Sequence, residues 1–213
     1  MFKNRTDAGI QLAKKLVKFK NENIVVLAIP KGGLPLGAII AKTLNAPLDV
    51  VLTKKIGHPF QKEYAIGAVS LEDIILTEDK AITKSYIDKE TARIREKLKE
   101  QYDQYYKDRP PESLKDKTII IVDDGIATGN TLMATIKLVS KQTPTKVIVA
   151  IPVAPSTAIH RLENNPDVSK VICLLVPNNF QAVGQFYEEF HQVSSQEAIQ
   201  LLIEANAPTK PGL

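Results

Sequence analysis

The sequence predicts an α/β fold, a doubly wound and mainly parallel sheet flanked by helices, and two observations carry that expectation. Four short runs, NIVVLAI (23–29), LDVVLT (48–53), KTIIIV (117–122) and KVIVAI (146–151), are apolar throughout and rich in Val and Ile, as strands buried on both faces are; KVICLLV (170–176) matches them. Helical patterns lie between these runs, and right-handed crossovers turn strand, helix, strand into a parallel sheet covered on both sides. Ligands of such sheets bind beyond the carboxyl ends of the strands.

In chain order, a helix over 34–45 follows the first run. The segment LTKKIGHPFQKEYAIG (52–67) is interrupted by Gly57 and Pro59 and reads as irregular. Residues 65–79 read as two short strands. Residues 80–107 form a charged helical insertion in which Ile87, Ile94, Leu98, Tyr102 and Tyr105 recur at near-helical spacing; its apolar stripe lies on the sheet or on a partner. Pro110 and Pro111 end it. Helices follow over 131–141 and 156–163, the second with Ser156 as its N-cap. The tail ANAPTKPGL is rich in Pro and Gly and is expected to fray.

At 213 residues and 44% hydrophobic content the chain suits a single domain over 1–213 with an ample core. Lys plus Arg number 28 against 24 Asp plus Glu, a net +4 that suits a small polyanion as well as weak nucleic-acid contact. Arg93, Arg95, Lys97 and Lys99 form the one candidate basic face, and the interleaved Glu90, Glu96 and Glu100 argue against nucleic acid. The single Cys173 lies in an apolar run and reads as a small buried hydrophobe. No run approaches the ~18 apolar residues of a membrane span, and residues 1–23 lack a signal-peptide core, so a soluble, cytoplasmic protein is expected.

Chemistry concentrates in IIIVDDGIATGNT (119–131). A greasy strand ends in two adjacent carboxylates, Asp123 and Asp124, which repel each other unless something cationic or hydroxyl-rich meets them. A turn rich in Gly and Thr follows and a helix begins near Thr131, so several backbone N–H groups are offered as an anion cradle. A phosphate held there and by the hydroxyls of Thr128 and Thr131 leaves the carboxylates beside its sugar, where they accept hydrogen bonds from a vicinal diol. The Walker motif is excluded because no Gly-Lys-Ser/Thr follows, and the dinucleotide fingerprint because the glycine spacing differs. A second loop, AIPKGG (28–33), sets Lys31 beyond the first strand, and its glycines let the backbone approach a ligand closely.

IIIVDDGIATGNT resembles the phosphoribosyl-pyrophosphate loop of type I phosphoribosyltransferases, and the likeness extends over most of the chain. EYAIGAV (63–69) and AVGQFYEEF (182–190) resemble in particular the little-characterised group of predicted phosphoribosyltransferases. The resemblance implies the type I fold with a small hood, over 176–192 with a possible contribution from 1–20. It also implies transfer of ribose 5-phosphate from phosphoribosyl pyrophosphate to a nitrogen acceptor, such as a nucleobase, with Mg2+ as cofactor. Asp123 and Asp124 would then bind the ribose hydroxyls and meet the metal only through water, while Gly125, Ala127, Thr128, Gly129, Asn130 and Thr131 would hold the 5-phosphate. AIPKGG resembles the family's pyrophosphate loop, with Lys31, Gly32 and Gly33 at the leaving group and a cis peptide expected at Lys31–Gly32. Lys54 and Lys55 would join them, on a loop that closes over the site. Glu63 is a candidate general base or a solvated loop glutamate, and His58 reads as a loop histidine. Phe180, Phe186 and Tyr187 either stack on the accepting base or anchor the hood. Enzymes acting on 6-oxopurines carry a third Asp where this chain has Ala127, which argues against hypoxanthine or guanine. The family commonly dimerises, and 80–107 is the first surface to consider. A non-catalytic sensor of phosphoribosyl pyrophosphate would use the same loop without a closed base pocket.

Overall fold

The computed structural model describes residues 1–61, 64–76, 82–107 and 109–207. In chain order its elements are α1 (Arg5–Leu16), β1 (Ile24–Ala28), α2 (Gly33–Leu44), β2 (Leu48–Val50), β3 (Lys54–Gly57), β4 (Ala65–Val69), β5 (Ile74–Leu76), α3 (Lys84–Tyr105), β6 (Thr118–Val122), α4 (Asn130–Ser140), β7 (Lys146–Val153), α5 (Ser156–Glu163), β8 (Lys170–Leu175) and α6 (Ser195–Ala205), with 3-10 turns at Val17–Phe19 and Val183–Phe186. The five apolar runs supply one parallel sheet in the order β2-β1-β6-β7-β8. Every residue of β1 and β6 is buried, which is why those runs show no polar alternation.

Residue parity sorts these strands into two cores. Ile24, Val26, Ala28, Ile120, Val122, Ile148 and Ala150 face one side, where they meet Leu12 and Leu16 of α1, Leu36 and Ile40 of α2 and Leu202 of α6. Val25, Leu27, Ile119, Ile121, Val147 and Val149 face the other, against Leu132, Ile136 and Val139 of α4 and Ile159 and Leu162 of α5. Each Val, Leu or Ile side chain among them contributes ~1.5–3 kcal/mol on burial, so the two layers fix the register of every central strand.

A three-stranded antiparallel sheet, β3-β4-β5, stands apart from the main one. Here the irregular segment expected over 52–67 needs correction. Lys54–Gly57 is a regular strand, and Gly57 ends it at a register shift against β4, with Pro59 beyond it. Helix α3 covers this sheet with Ile94 and Leu98, which pack on Ile56, Ile66 and Val69. Its exposed face carries the Arg93–Glu90 pair at 2.7 Å, and Arg95 donates to the carbonyls of Ser70 and Glu72 in the β4–β5 turn. The chain between β5 and residue 82 lies outside the described residues.

Two helices were not anticipated. In α1 the side chain of Asn4 accepts from the Asp7 N–H at 3.1 Å, and Ala8, Leu12 and Leu16 form a buried stripe along one face. In α6 Ser194 caps, and Ala198 and Leu202 face the core. At α5 the N-cap position is held by Pro155, so Ser156 is the first helical residue and caps nothing. The start of the expected frayed tail is tied down, because Asn206 accepts from the Leu48 N–H at 3.1 Å and donates to the Leu48 carbonyl at 2.8 Å. Cys173 is half-buried against the second core, and burial pushes its thiol up to about 11. Among the described residues no helix is long and apolar enough to cross a membrane.

Candidate active site

The strand order creates the site. From β1 the chain moves to β2 on one side, whereas β6 pairs on the other, so the crevice beyond the carboxyl ends of β1 and β6 is a topological switch point. Ala28 pairs with Val122, and the Ile29 N–H donates to the Val122 carbonyl at 2.8 Å. The loops AIPKGG and DDGIATG therefore leave the sheet side by side. Their contact is tight: a Cβ at Gly32 would overlap the Asp124 carboxylate, and one at Gly33 would stand 2.5 Å from the Val122 carbonyl oxygen.

Each carboxylate of the acidic pair has one oxygen anchored. Asp123 Oδ1 accepts from the Asp124 N–H at 2.9 Å. Asp124 Oδ2 accepts from Arg5 Nε at 2.8 Å and pairs with Arg5 Nη2 at 2.7 Å. Among the described residues no N–H reaches Asp123 Oδ2 or Asp124 Oδ1, and the two carboxyl groups lie within hydrogen-bonding reach of each other. Burial, followed by the neighbouring Asp124 charge, pushes the Asp123 carboxyl well above the usual range. Burial also raises Asp124, against the opposing pull of Arg5. Both residues have oxygen donors of the hard type that suits magnesium. Among the described residues no group of three or more His, Cys, Asp or Glu is placed to hold a metal ion.

The following turn is open. Ala127, Thr128 and Thr131 are exposed, and among the described residues no partner takes the N–H of Ala127, Thr128 or Gly129. Gly129, at φ 72°, adopts the left-handed conformation that only glycine enters freely, and α4 starts directly after it without a side-chain cap. Asn130 opens α4, and Arg161 of α5 buttresses the turn by donating Nη1 to the Thr128 carbonyl at 2.8 Å and to Asn130 Oδ1 at 3.1 Å. Gly125 serves packing, since a Cβ there would sit 2.7 Å from Val183 and 2.9 Å from Val153.

The remaining predicted residues are distributed as follows. Lys31 is half-buried on the neighbouring loop, and the cis peptide lies one residue before the expected position, at Pro30–Lys31. Lys54 and Lys55 are consecutive residues of β3, so their side chains leave opposite faces of that strand. His58 Nδ1 accepts from the Phe60 N–H at 3.2 Å in the hairpin turn. Lys62 and Glu63 lie outside the described residues. Tyr187 also needs correction as a stacking platform. It is 5% exposed, between Phe2 at 5.4 Å and Phe190 at 4.9 Å, and its hydroxyl donates to the Asp124 carbonyl at 2.6 Å. Phe180 is half-buried and stacks on Phe186 at 5.5 Å.

Sequence reasoning missed Arg5 entirely. Its side chain is only 12% exposed, its guanidinium lies 3.9 Å over the Phe190 ring, and Nη1 donates to the His191 carbonyl. The amino-terminal segment joins the same region, with Phe2 N–H donating to the Phe186 carbonyl and Glu188 N–H to the Phe2 carbonyl. Residues 1–5 and 186–191 thus form one unit against Asp124. A cavity of about 210 Å3 between β2, the end of α3 and α4, and a groove of about 1220 Å3 between α2 and α6, include no residue of either loop.

A doubly wound sheet with an acidic pair and an open glycine-rich turn at its switch point defines a class, the α/β proteins that present an anion-binding turn to a ligand at the strand ends. A family model described as a phosphoribosyl transferase domain matches residues 2–190, and the chain belongs to that family. Two curated Mycobacterium tuberculosis proteins, provisionally named phosphoribosyl transferases, are each 35% identical over 211 residues, 97% of this chain. The chain spans 47% of the length of these relatives. A solved structure from Thermus thermophilus is 35% identical with a TM-score of 0.88, covering 96% of this chain and 98% of that one. A hypothetical protein of Neisseria gonorrhoeae, solved with bound ppGpp, shares the fold at 14% identity and a TM-score of 0.51, covering 97% and 99% of the two chains.

Proposed function

We propose that the protein transfers ribose 5-phosphate from phosphoribosyl pyrophosphate to a nitrogen acceptor, a nucleobase being the leading candidate, and releases pyrophosphate. The observation that carries this reading is the acidic pair, whose Asp123 Oδ2 and Asp124 Oδ1 take no N–H among the described residues, beside an open turn whose N–H groups have no partner among them. Two acceptors suit the two hydroxyls of a ribose, and the turn suits its 5-phosphate. The C1–O bond to pyrophosphate loosens toward an oxocarbenium-like cation, and the acceptor nitrogen attacks the opposite face. The chain's contribution is positioning and charge: the carboxylates fix the ribose, the turn fixes the phosphate, and Lys31 with one of the β3 lysines stabilises the departing pyrophosphate. Magnesium, carried on ligand oxygens and met by Asp123 and Asp124 through water, would neutralise the leaving group.

A specific observation favours a second reading, a non-catalytic protein that senses phosphoribosyl pyrophosphate. The ring of Tyr187 is buried between Phe2 and Phe190 and offers no free face to a base, and one face of Phe180 is taken by Phe186. A panel of nucleobases and simple amines, incubated with labelled phosphoribosyl pyrophosphate and magnesium and scored for pyrophosphate release, separates the two. Acceptor-dependent release supports transfer; tight binding with no release from any acceptor supports the sensor.

A further inference from the structure

Arg5 makes an unusual contact with the acidic pair. An Arg–carboxylate fork normally engages both carboxylate oxygens. Here Nε at 2.8 Å and Nη2 at 2.7 Å both address Asp124 Oδ2 and spare Oδ1. The third arm, Nη1, is held by the His191 carbonyl, and the guanidinium plane lies on the Phe190 ring 3.9 Å away. Three distant parts of the chain, the start of α1, the acidic loop and residues 190–191, therefore converge on one cation that is 12% exposed. Stability gives little reason for this arrangement, because a nearly buried ion pair seldom stabilises a fold more than apolar residues of the same volume would. Orientation gives a better one. With Oδ2 fixed from behind, Oδ1 has a single direction, and Tyr187 holds the backbone of the same residue through the Asp124 carbonyl.

We propose that Arg5 is a positioning residue of the ribose site, contributed by the amino-terminal helix, which fixes the Asp124 carboxylate so that its free oxygen accepts a ribose hydroxyl. The inference rests on the diol reading given above. Without Arg5 the Asp124 carboxylate loses the contact that fixes Oδ2, so the hydroxyl loses a directed acceptor while the phosphate turn is untouched.

The test is calorimetric binding of ribose 5-phosphate, its 2-deoxy and 3-deoxy analogues (the deoxyribose ligand being whichever of the two binds more weakly to the wild type) and inorganic phosphate to the wild type, Arg5→Gln and Arg5→Lys, with circular dichroism as a check on folding. The wild type is expected to prefer the ribose over the deoxyribose ligand by ~10-fold or more, the value of a hydrogen bond to a charged acceptor. In Arg5→Gln that preference falls to within ~3-fold while phosphate binding is unchanged, and Arg5→Lys, a point charge without the fork, lies between. A merely structural role would weaken all these ligands together and leave the preference intact, which overturns the proposal. Should Arg5→Gln fail to fold, Arg5→Lys decides alone, and an undiminished preference in it overturns the proposal. A wild type that shows no preference refutes the diol reading itself, and this inference with it.

Discussion

Substitution of Gly32 by alanine tests the packing of the two loops with a sign that depends on the geometry described. The backbone at Gly32, φ −61° and ψ −32°, is ordinary right-handed helix, so the chain itself accepts alanine. In open space the change would stabilise by ~0.4–1 kcal/mol, because alanine restricts the unfolded chain. The space is filled, however. An ideal Cβ overlaps Asp124 Oδ2 and lies 2.6 Å from Cγ and 3.0 Å from Oδ1. The carboxylate cannot swing aside without leaving Arg5, which holds Oδ2 at 2.8 and 2.7 Å. Overpacking of this kind costs ~1–3 kcal/mol, more if the Arg5 pair breaks. In a chain of 213 residues that lowers the unfolding midpoint by ~2–12 °C. Differential scanning calorimetry gives the midpoint, and ribose 5-phosphate titration of the same variant should show weakened binding. An unchanged or raised midpoint with intact binding would refute the contact between Gly32 and Asp124.

Three further outcomes follow from the same contacts. Tyr106→Phe removes the hydroxyl that donates to the 2% exposed Asp49 at 2.5 Å, and urea denaturation should show a loss of ~1.5–3 kcal/mol; a loss below ~0.5 kcal/mol would contradict the pairing. Burial is the leading cause that raises Asp49, Asp123 and Asp124 above 3.8, so the folded state binds their protons more tightly than the unfolded chain. Their contribution to stability is therefore full below 3.8 and is lost as pH rises through the folded values; urea midpoints from about pH 4 to about pH 8 should fall less steeply in Asp123→Asn, and identical slopes would count against it. Arg161→Ala frees the Thr128 carbonyl and Asn130, so calorimetry should find ribose 5-phosphate bound ~2–10-fold more weakly with pyrophosphate binding unchanged; equal weakening of both would place Arg161 outside the phosphate turn.

The central sheet was legible because its strands are buried on both faces. β1 and the apolar run of β6 have no charged residue to obscure them, and the parity that divides Val25 from Val26 between two cores follows from the strand period alone. The acidic pair was legible for the opposite reason, since two carboxylates at the end of such a run have no role in the sheet. The segment that carries Lys54 and Lys55 was read as irregular because Gly57 and Pro59 signal a break, whereas the strand ends at Gly57 and Pro59 lies past it. The Asn4 cap and the Ala8, Leu12, Leu16 stripe of α1 were present in the sequence but lay among lysines that dilute the apolar signal. Arg5 had no local signal at all, because its partner is 119 residues away and only the folded chain brings the two together. Tyr187 was ambiguous for a related reason: an aromatic residue beside a ligand site and one that anchors a segment look alike until the ring contacts with Phe2 and Phe190 are known.

The most direct measurement of the ribose assignment is a calorimetric titration of phosphoribosyl pyrophosphate into the wild type and into the variant carrying Asp123→Asn and Asp124→Asn together. Two carboxylates, each accepting one ribose hydroxyl at ~1.5–3 kcal/mol, together represent ~3–6 kcal/mol, or ~10^2–10^4-fold in affinity. The variant should keep the wild-type circular dichroism spectrum and lose affinity by that factor. A folded variant that binds phosphoribosyl pyrophosphate as tightly as the wild type would contradict the account.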